Sequence, residues 1–332
     1  MKPLDSTRIQ ALRHCWHPVA YAHEVSDAPR AATLLGEPLV VWRDAGKRIR
    51  VLRDACSHRG TALSLGRVHA GELVCPYHGW RYDTEGRCTH IPQLQEPDRV
   101  PPKARVDCFR AQELYGLVWV ALEEPRWPVP EIAEFSDSDW KVVHTGPFAW
   151  NCDSSRQLEN FTDFGHFAFV HPGLLGDPDK PVVASYKVTI DGHIVRYSYG
   201  RPDQKNTDDF PVFTNAERKD ELRRTRYAIH LPFTLVEHID WGGREGMVYL
   251  FASQPVDEAH CIGYCLVARN YNLDQPDTVM QDFETTIFAQ DQRIVESQRP
   301  SSVPFDPHAE MHLKFDAVAM HYRRATREQG LD

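Results

Sequence analysis

The segments C-S-H-R-G, residues 56–60, and C-P-Y-H-G-W, residues 75–80, each carry one cysteine and one histidine. The first has the spacing C-x-H and the second C-x-x-H, with sixteen residues between His58 and Cys75. A glycine follows each pair, as expected where the backbone must pass close to a bound group. Together the two segments offer two thiolates and two imidazoles to one site.

This ligand set has two interpretations. Two cysteines with two histidines suit zinc, but zinc spacings usually pair cysteine with cysteine and histidine with histidine. Here each segment carries one of each. That arrangement favours a [2Fe–2S] centre of the Rieske type, in which two histidines replace two cysteines on one iron and raise its reduction potential. The predicted cluster ligands are Cys56, His58, Cys75 and His78.

A second polar group lies among aromatic residues, in E-N-F-T-D-F-G-H-F-A-F-V-H at residues 159–171. Polar side chains in an apolar surrounding are costly unless they are paired or bind metal. Non-haem Fe(II) oxygenases hold iron with two histidines and one carboxylate, and His166 and His171 match the two histidines. Two buried, hydrogen-bonded histidines beside a helix end are the alternative, which the upstream Cys–His segments make less favourable.

The third iron ligand is predicted on a helix near the C-terminus. An apolar stripe at helical spacing runs through residues 280–294, formed by Met280, Phe283, Ile287 and Ile294. Asp291 falls on this stripe, where an unpaired carboxylate would need a cation. It is therefore the predicted ligand. Asp282 and Glu284 lie off the stripe or at its edge and are predicted to be solvated.

These motifs resemble those of the Rieske non-haem iron oxygenases, α subunit, in the ring-hydroxylating and demethylating superfamily. Within it the chain is most similar to bacterial methylxanthine N-demethylases, and less so to saxitoxin-type hydroxylases and aromatic O-demethylases. The resemblance runs nearly end to end. Besides the two Cys–His segments, it rests on R-H-C-W-H-P-V at 13–19, N-F-T-D-F-G-H-F-A-F-V-H-P-G at 160–173 and A-Q-D-Q-R-I-V-E-S-Q-R-P at 289–300.

The resemblance implies roles for individual residues. Three side chains correspond to the family's iron ligands: His166, His171 and Asp291. Asp163 corresponds to its bridging carboxylate, and Asn160 to an amide beside the ligands. The resemblance also implies a homotrimer in which one subunit's cluster serves the neighbour's iron, through His78 of one subunit and Asp163 and His166 of the next.

Composition restricts the partners. The chain has 332 residues, of which 42% are hydrophobic, enough for about two domains. A net charge of −9 without a basic run argues against nucleic acid. The N-terminus lacks a signal region and no apolar stretch is long enough for a membrane span, so a cytoplasmic protein is expected. Without a G-x-G-x-x-G segment, the chain would receive electrons from NAD(P)H only through a separate flavin/iron–sulfur reductase or a ferredoxin.

The predicted fold class is α+β, with a β-rich Rieske domain at 1–135 and an antiparallel-sheet and helix catalytic domain at 136–332, helix-grip-like by resemblance. Short strands are predicted at 38–43, 48–53, 72–75, 80–82, 105–110, 114–122, 185–190, 193–199, 224–231, 234–239, 246–252 and 261–269. Helices are predicted at 160–170, 276–297 and 308–327. Since Pro172-Gly173 ends the first helix, His171 is expected in its distorted last turn.

The predicted function is a monooxygenase that takes O₂ and two electrons and hydroxylates a small cyclic substrate. N-demethylation of a heterocycle is the first choice; ring or alkyl hydroxylation and aromatic O-demethylation are alternatives. A Rieske electron carrier without oxygenase activity is the alternative from another class. The substrate is not determined. Candidate pocket residues, each more often an ordinary core residue, are Phe210, Phe213, His230, Phe233 and Trp241.

Overall fold

The computed structural model describes residues 6–95, 99–199, 224–241 and 245–332. These residues form two compact units. One comprises Ile9–Val129, and the other Pro130–Asp332 together with the residues that precede Ile9. The structure thus divides between Val129 and Pro130, whereas the domain limits 1–135 and 136–332 stay predictions. In the described part of the chain, no helix combines the length and the apolar character needed to span a membrane.

The first unit is β-rich. After helix α1 (Ser6–Leu12), its strands are β1 (His17–Tyr21), β2 (Arg30–Leu34), β3 (Glu37–Arg43), β4 (Ile49–Arg53), β5 (Arg67–His69), β6 (Glu72–Val74), β7 (Arg81–Tyr82), β8 (Cys88–His90), β9 (Cys108–Leu114) and β10 (Leu117–Ala121). A six-stranded sheet has the order β1-β10-β9-β4-β3-β2, and a four-stranded sheet the order β5-β6-β7-β8. Sequence analysis missed β1, β2, β5 and β8, and placed β9 too early.

The second unit is built on a seven-stranded antiparallel sheet. Its strands are β11 (Lys141–Trp150), β12 (Val188–Asp191), β13 (Ile194–Ser198), β14 (Arg224–His230), β15 (Thr234–Asp240), β16 (Gly246–Pro255) and β17 (Cys261–Arg269). The order is β11-β17-β16-β15-β14-β13-β12, so successive strands from β12 to β17 are neighbours. Helices α2 (Ser154–Thr162), α3 (Phe167–Val170), α4 (Asp277–Val295) and α5 (Ala317–Glu328) complete it. The predicted α+β class is confirmed.

The helix predicted at 160–170 is wrong, because the structure has two helices there. Helix α2 ends at Thr162, and Asp163 follows in an extended conformation, with φ −90° and ψ 131°. The Asp163 side chain accepts a hydrogen bond from the Gly165 backbone N–H, at 2.9 Å. Such local bonds from aspartate compete with continued helix and favour turns. Helix α3 then begins after His166, and His171 stands at its C-terminal end with φ −120° and ψ 51°.

Helix α2 is held at both ends by partly buried ion pairs. Asp153, which caps the N-terminus of α2, accepts from Ser155 N–H at 2.8 Å and from the Arg8 guanidinium at 2.9 and 3.0 Å. Near the other end, Glu159 accepts two hydrogen bonds from Arg323 of α5, at 2.5 and 2.9 Å. Two parallel bonds between a guanidinium and a carboxylate fix relative orientation. The two bonds from Arg323 therefore fix the C-terminal part of α2 relative to α5.

Candidate metal centres

The two Cys–His loops have similar backbone geometry. The first follows β4 and the second β6, and in each the glycine N–H donates to the cysteine carbonyl, Gly60 to Cys56 at 2.8 Å and Gly79 to Cys75 at 3.0 Å. Gly60 and Gly79 have φ of 73° and 74°. Positive φ angles of this size are adopted readily by glycine and rarely by other residues, which accounts for both glycines.

The side chains of these loops form the arrangement that a Rieske cluster needs. The Nδ1 atoms of His58 and His78 lie 3.2 Å apart, and both imidazoles are nearer the surface than the thiols. Cys56 and Cys75 are buried. Burial raises the pKa of the Cys75 thiol, so its thiolate form calls for a bound cation. Two inner thiolates and two outer imidazoles fit a [2Fe–2S] cluster with a different ligand pair on each iron.

Tyr82, which was not predicted from the sequence, lies beside the inner thiolates. Its hydroxyl is 3.0 Å from Cys56 Sγ and 3.0 Å from Ser57 Oγ, and it accepts from Ser57 N–H at 3.1 Å. A hydroxyl that donates to a ligating sulfur stabilises negative charge there and affects the reduction potential. The sequence does not predict this contact, because Tyr82 is 26 residues from Cys56.

Replacing His78 by cysteine is expected to lower the reduction potential of the cluster. A thiolate stabilises the oxidised cluster more than an imidazole does, so the midpoint should move from the Rieske range toward the roughly −400 mV of plant-type all-cysteine ferredoxins. A redox titration followed by EPR measures the shift. The exposed His69 provides a matched His-to-Cys control that should leave the potential unchanged. A colourless protein with stoichiometric zinc and no acid-labile sulfide would contradict the cluster assignment.

Three further side chains converge in the second unit. Asp291 of α4 has its Oδ1 atom 3.0 Å from His171 Nε2 and 3.4 Å from His166 Nε2. The three candidate ligand atoms lie within 4.8 Å of one another. His171 and Asp291 are buried, and His166 is half-buried. The structure therefore brings together the two histidines and the distant carboxylate that were predicted from sequence.

The three candidate ligand atoms are suited to a metal ion because no described residue forms a hydrogen bond with them. His166 Nε2, His171 Nε2 and Asp291 Oδ1 are all buried, and none has a hydrogen-bond partner among the residues that the structure describes. Leaving three such atoms unsatisfied is costly, and a cation among them satisfies all three. Two imidazoles and one carboxylate on one side of a metal are the ligand set of non-haem Fe(II) oxygenases, with open positions on the other side.

The other nitrogen of each histidine is held by a specific acceptor. His166 Nδ1–H donates to Asp163 Oδ2 at 3.0 Å, and His171 Nδ1–H donates to Gln290 Oε1 at 2.7 Å. These bonds fix the tautomers that leave Nε2 free to bind metal. Burial alone would raise the pKa of Asp163, but hydrogen bonds from His166 and Gly165 lower it overall. Gln290 was not predicted, although it directly precedes Asp291.

Asp163 thus contacts His166, but not for the predicted reason. A shared helix was expected to bring residues three apart together. Instead, the turn between α2 and α3 brings the carboxylate to the imidazole. The Asp163 side chain keeps 38% of its exposure. Asn160, the predicted amide, lies near the end of α2, and its buried Nδ2 has no hydrogen-bond partner in the described part of the chain.

The prediction for α4 needs two corrections. Glu284 was expected to be solvated but is buried, at 5% exposure, while Ile294 of the expected apolar stripe is 40% exposed. The buried face is wider than the stripe and also includes Phe288 and Val295. An amphipathic helix commonly buries an arc of at least about 100°, which takes in Glu284, two turns before Asp291. Asp282 is exposed, as predicted.

A cavity lies next to the three candidate ligands. Its lining is mainly aromatic and aliphatic, with Phe161 stacked on Phe251 at a centroid distance of 4.0 Å. Asn160 and two carboxyl groups, of Glu237 and Glu284, add polar atoms. An apolar cavity with a few convergent polar groups is typical of a small-molecule site.

Of the five pocket residues predicted from the sequence, the structure describes three, and none of these three lines the cavity. Phe233 and Trp241 are buried core residues, and His230 lies at another surface depression. Phe210 and Phe213 lie outside the described residues. The wall residues from the same region alternate along the strands: Tyr227, Leu235, Glu237, Ile239, Tyr249 and Phe251. The register of the sheet determines which residues of a strand face inward, and this register was not predicted from the sequence.

Comparison with known proteins identifies the class. Residues 15–110 match the Rieske [2Fe-2S] domain, and residues 150–330 match the vanillate O-demethylase oxygenase C-terminal domain. The chain belongs to the Rieske non-haem iron oxygenases. It is therefore an oxidoreductase that uses a [2Fe–2S] cluster, mononuclear iron, O₂ and electrons from a separate reductase, which confirms the predicted cofactors and enzyme class.

Particular relatives are demethylases. The chain is 36% identical to methylxanthine N1-demethylase NdmA of Pseudomonas putida, over 96% of this chain and 89% of that protein. It is 33% identical to methylxanthine N3-demethylase NdmB of the same species, over 100% and 93%. A solved structure of NdmA with caffeine superposes with a TM-score of 0.86 and 30% identity, over 98% and 97% of the chains. Dicamba monooxygenase, at 22% identity, shares the fold with a TM-score of 0.81.

Proposed function

We propose that this oxygenase removes an N-methyl group from a small heterocyclic substrate. The observation that carries the proposal is the mainly apolar cavity bordered by His166, His171 and Asp291. A neutral, flat ring is suited to such walls, and a methyl group on it would lie at the metal-binding side. The relatives NdmA and NdmB, whose names state N-demethylation, support the same reaction class.

The reaction balances as a hydroxylation followed by bond cleavage. R₂N–CH₃, O₂, two electrons and two protons give R₂N–CH₂OH and water; the carbinolamine then breaks its C–N bond to release formaldehyde and R₂N–H. When bound, the cluster and the iron supply the electrons and the activation of O₂. The protein positions the ring through its aromatic walls. It also keeps bulk water away from the buried His171 and Asp291.

The ligand assignments belong to this proposal. Four side chains would hold the cluster: Cys56, His58, Cys75 and His78. Three would hold the iron: His166, His171 and Asp291. Asp163 would orient His166 and, by resemblance, accept a hydrogen bond from His78 of an adjacent subunit in a homotrimer. The homotrimer, the type of reductase and the cytoplasmic location stay predictions.

A matched product assay tests the reaction. The protein with a surrogate reductase would be offered sets of ring compounds that carry an N-methyl group, an O-methyl group or no methyl group, and scored for formaldehyde and hydroxylated product. Formaldehyde in a one-to-one ratio with the N-demethylated ring is expected. Hydroxylated product without formaldehyde would favour the ring hydroxylase. Formaldehyde from the O-methyl set alone would favour the O-demethylase.

Iron counting separates the oxygenase from a simple electron carrier. The proposed ligands imply three irons per chain, two in the cluster and one at the mononuclear site. An electron carrier would hold two. Metal analysis of the purified protein, together with acid-labile sulfide, distinguishes them without any substrate.

A further inference from the structure

Glu284 is a buried acid that the family assignment leaves unexplained. It lies on α4 two helical turns before Asp291, lines the same cavity and is 5% exposed. It is not one of the candidate metal ligands, which are His166, His171 and Asp291, with ligand atoms within 4.8 Å of one another. A buried carboxyl group without a metal or a basic partner is costly, so its presence in a mainly apolar wall needs a reason.

One carboxyl oxygen of Glu284 accepts a hydrogen bond, and the other has no partner among the described residues. The Tyr249 hydroxyl on β16 donates a hydrogen bond to Glu284 Oε1 at 3.0 Å. Oε2 is not one of the fully buried, unpaired polar atoms of the described residues, so it keeps some accessible surface. The tyrosine thus orients the carboxyl group and leaves one oxygen for an occupant of the cavity.

The surroundings favour the neutral acid. Burial raises the pKa of Glu284 to about 8; the Tyr249 hydrogen bond opposes this, and the charge of Glu237 adds to it. The titratable groups that face it are Tyr249 on β16, Glu237 on β15, Cys265 on β17 and Asp291 on its own helix. No lysine or arginine lines the cavity in the described part of the chain. Near pH 7 the carboxyl group is therefore mainly protonated and can donate a hydrogen bond.

We propose that Glu284 selects the substrate: its protonated carboxyl group donates a hydrogen bond from Oε2 to an acceptor on a neutral heterocycle, either a carbonyl oxygen or an unprotonated ring nitrogen. This inference rests on the proposed function and specifies its substrate class. A site built to hydrogen-bond one polar group discriminates strongly against ligands that lack it, because the site's own polar group is then left unpaired. A permanent cation would instead require the ionised form of Glu284.

Equilibrium binding tests the proposal without turnover. The oxidised holoenzyme would be titrated with caffeine and 1-methyl-2-quinolone as neutral carbonyl probes, 1-methylindole as a probe without a carbonyl, and N,N-dimethylpiperidinium as a permanent cation. None of these probes titrates between pH 7 and 9. For the carbonyl probes, affinity should fall about tenfold from pH 7 to pH 9, because the donor proton is lost as pH rises through a pKa of about 8.

Variants separate the hydrogen bond from packing. Glu284→Gln keeps a donor on the same atom and cannot ionise, so it should bind the carbonyl probes and lose the decline above pH 8. Glu284→Ala should weaken their binding at pH 7 about tenfold or more, the typical effect of removing a buried hydrogen bond, and leave 1-methylindole nearly unaffected. Asp282→Asn changes an exposed acid on the same helix and should alter nothing. The cluster spectrum and the melting temperature report whether each variant is folded.

Several outcomes would overturn the proposal. These are failure of the wild type to bind either carbonyl probe, equal binding by Glu284→Ala, and tightest binding of the cation with affinity that rises with pH. The last would make Glu284 a carboxylate for cationic substrates. Failure of the proposed function appears elsewhere, as absence of formaldehyde. If the carbonyl probes bind with the expected dependence on pH and on Glu284 but no formaldehyde is formed, the inference stands and N-demethylation does not.

Discussion

Replacing Asp291 by alanine is expected to remove the mononuclear iron and with it all oxygenation, while the cluster spectrum is unchanged. Asp291 Oδ1 is within 3.4 Å of Nε2 of both His166 and His171, and it is the carboxylate of the proposed ligand set. Without it, two neutral imidazoles remain, which lack the charge needed to hold a divalent ion in a buried site. The cluster ligands lie in the other compact unit and should be unaffected.

Metal analysis and turnover measure this effect together. Iron should fall from three to two per chain, and product formation to background. Asp282→Ala is the matched control, because Asp282 is an exposed aspartate on the same helix. It should keep both iron content and turnover. Loss of iron from Asp282→Ala but not from Asp291→Ala would mean that the ligand must be reassigned.

Replacing Asp163 by asparagine is expected to lower multiple turnover by several orders of magnitude while both metals stay bound and the cluster is still reduced by the reductase. The carboxylate accepts the Nδ1–H of His166 at 3.0 Å, and the low pKa of Asp163 means that it does so as an anion. Asparagine keeps the size and removes the charge. By resemblance, the same carboxylate would connect His166 to His78 of the adjacent subunit, so the substitution would interrupt that connection.

Gln290 offers a matched comparison, because it holds His171 as Asp163 holds His166. Losing a group that only orients a metal-bound histidine typically costs about 10–100-fold in metal affinity or activity. Gln290→Leu is therefore expected to lose about 10–100-fold in iron affinity or turnover. A much larger loss in Asp163→Asn, with iron content and cluster reduction intact, would show that Asp163 does more than orient His166. Near-normal multiple turnover in that variant would exclude Asp163 from the connection between the centres.

The contact of Asp163 with His166 shows how a prediction can hold for the wrong reason. A continuous helix was expected, and the short spacing suggested a contact between residues three apart. The chain instead turns at Asp163, whose side chain accepts the Gly165 N–H. Because Asp163 and His166 are only three residues apart, either a continuous helix or a turn can bring their side chains together. The contact was therefore predictable, whereas the backbone that makes it was not.

Glu284 shows the opposite case. The apolar stripe on α4 correctly predicted that Asp291 is buried, but the predicted buried face was too narrow and left out Glu284. How wide an arc a helix buries depends on what packs against it, and here the sheet supplies Tyr249 as a hydrogen-bond partner. No spacing rule within the helix contains that information.

The sequence by itself determined the two Cys–His loops and the pair of histidines, because each set lies within a few residues and its chemistry follows from residue type and spacing. It also indicated Asp291, since a carboxylate on an apolar stripe requires a cation. Only the tertiary structure decided which groups support these ligands and which line the cavity. Gln290 is 119 residues from His171, and Tyr82 is 26 residues from Cys56. Such contacts depend on sheet register and helix packing, in which side chains far apart in sequence meet because burying apolar surface brings their strands and helices together.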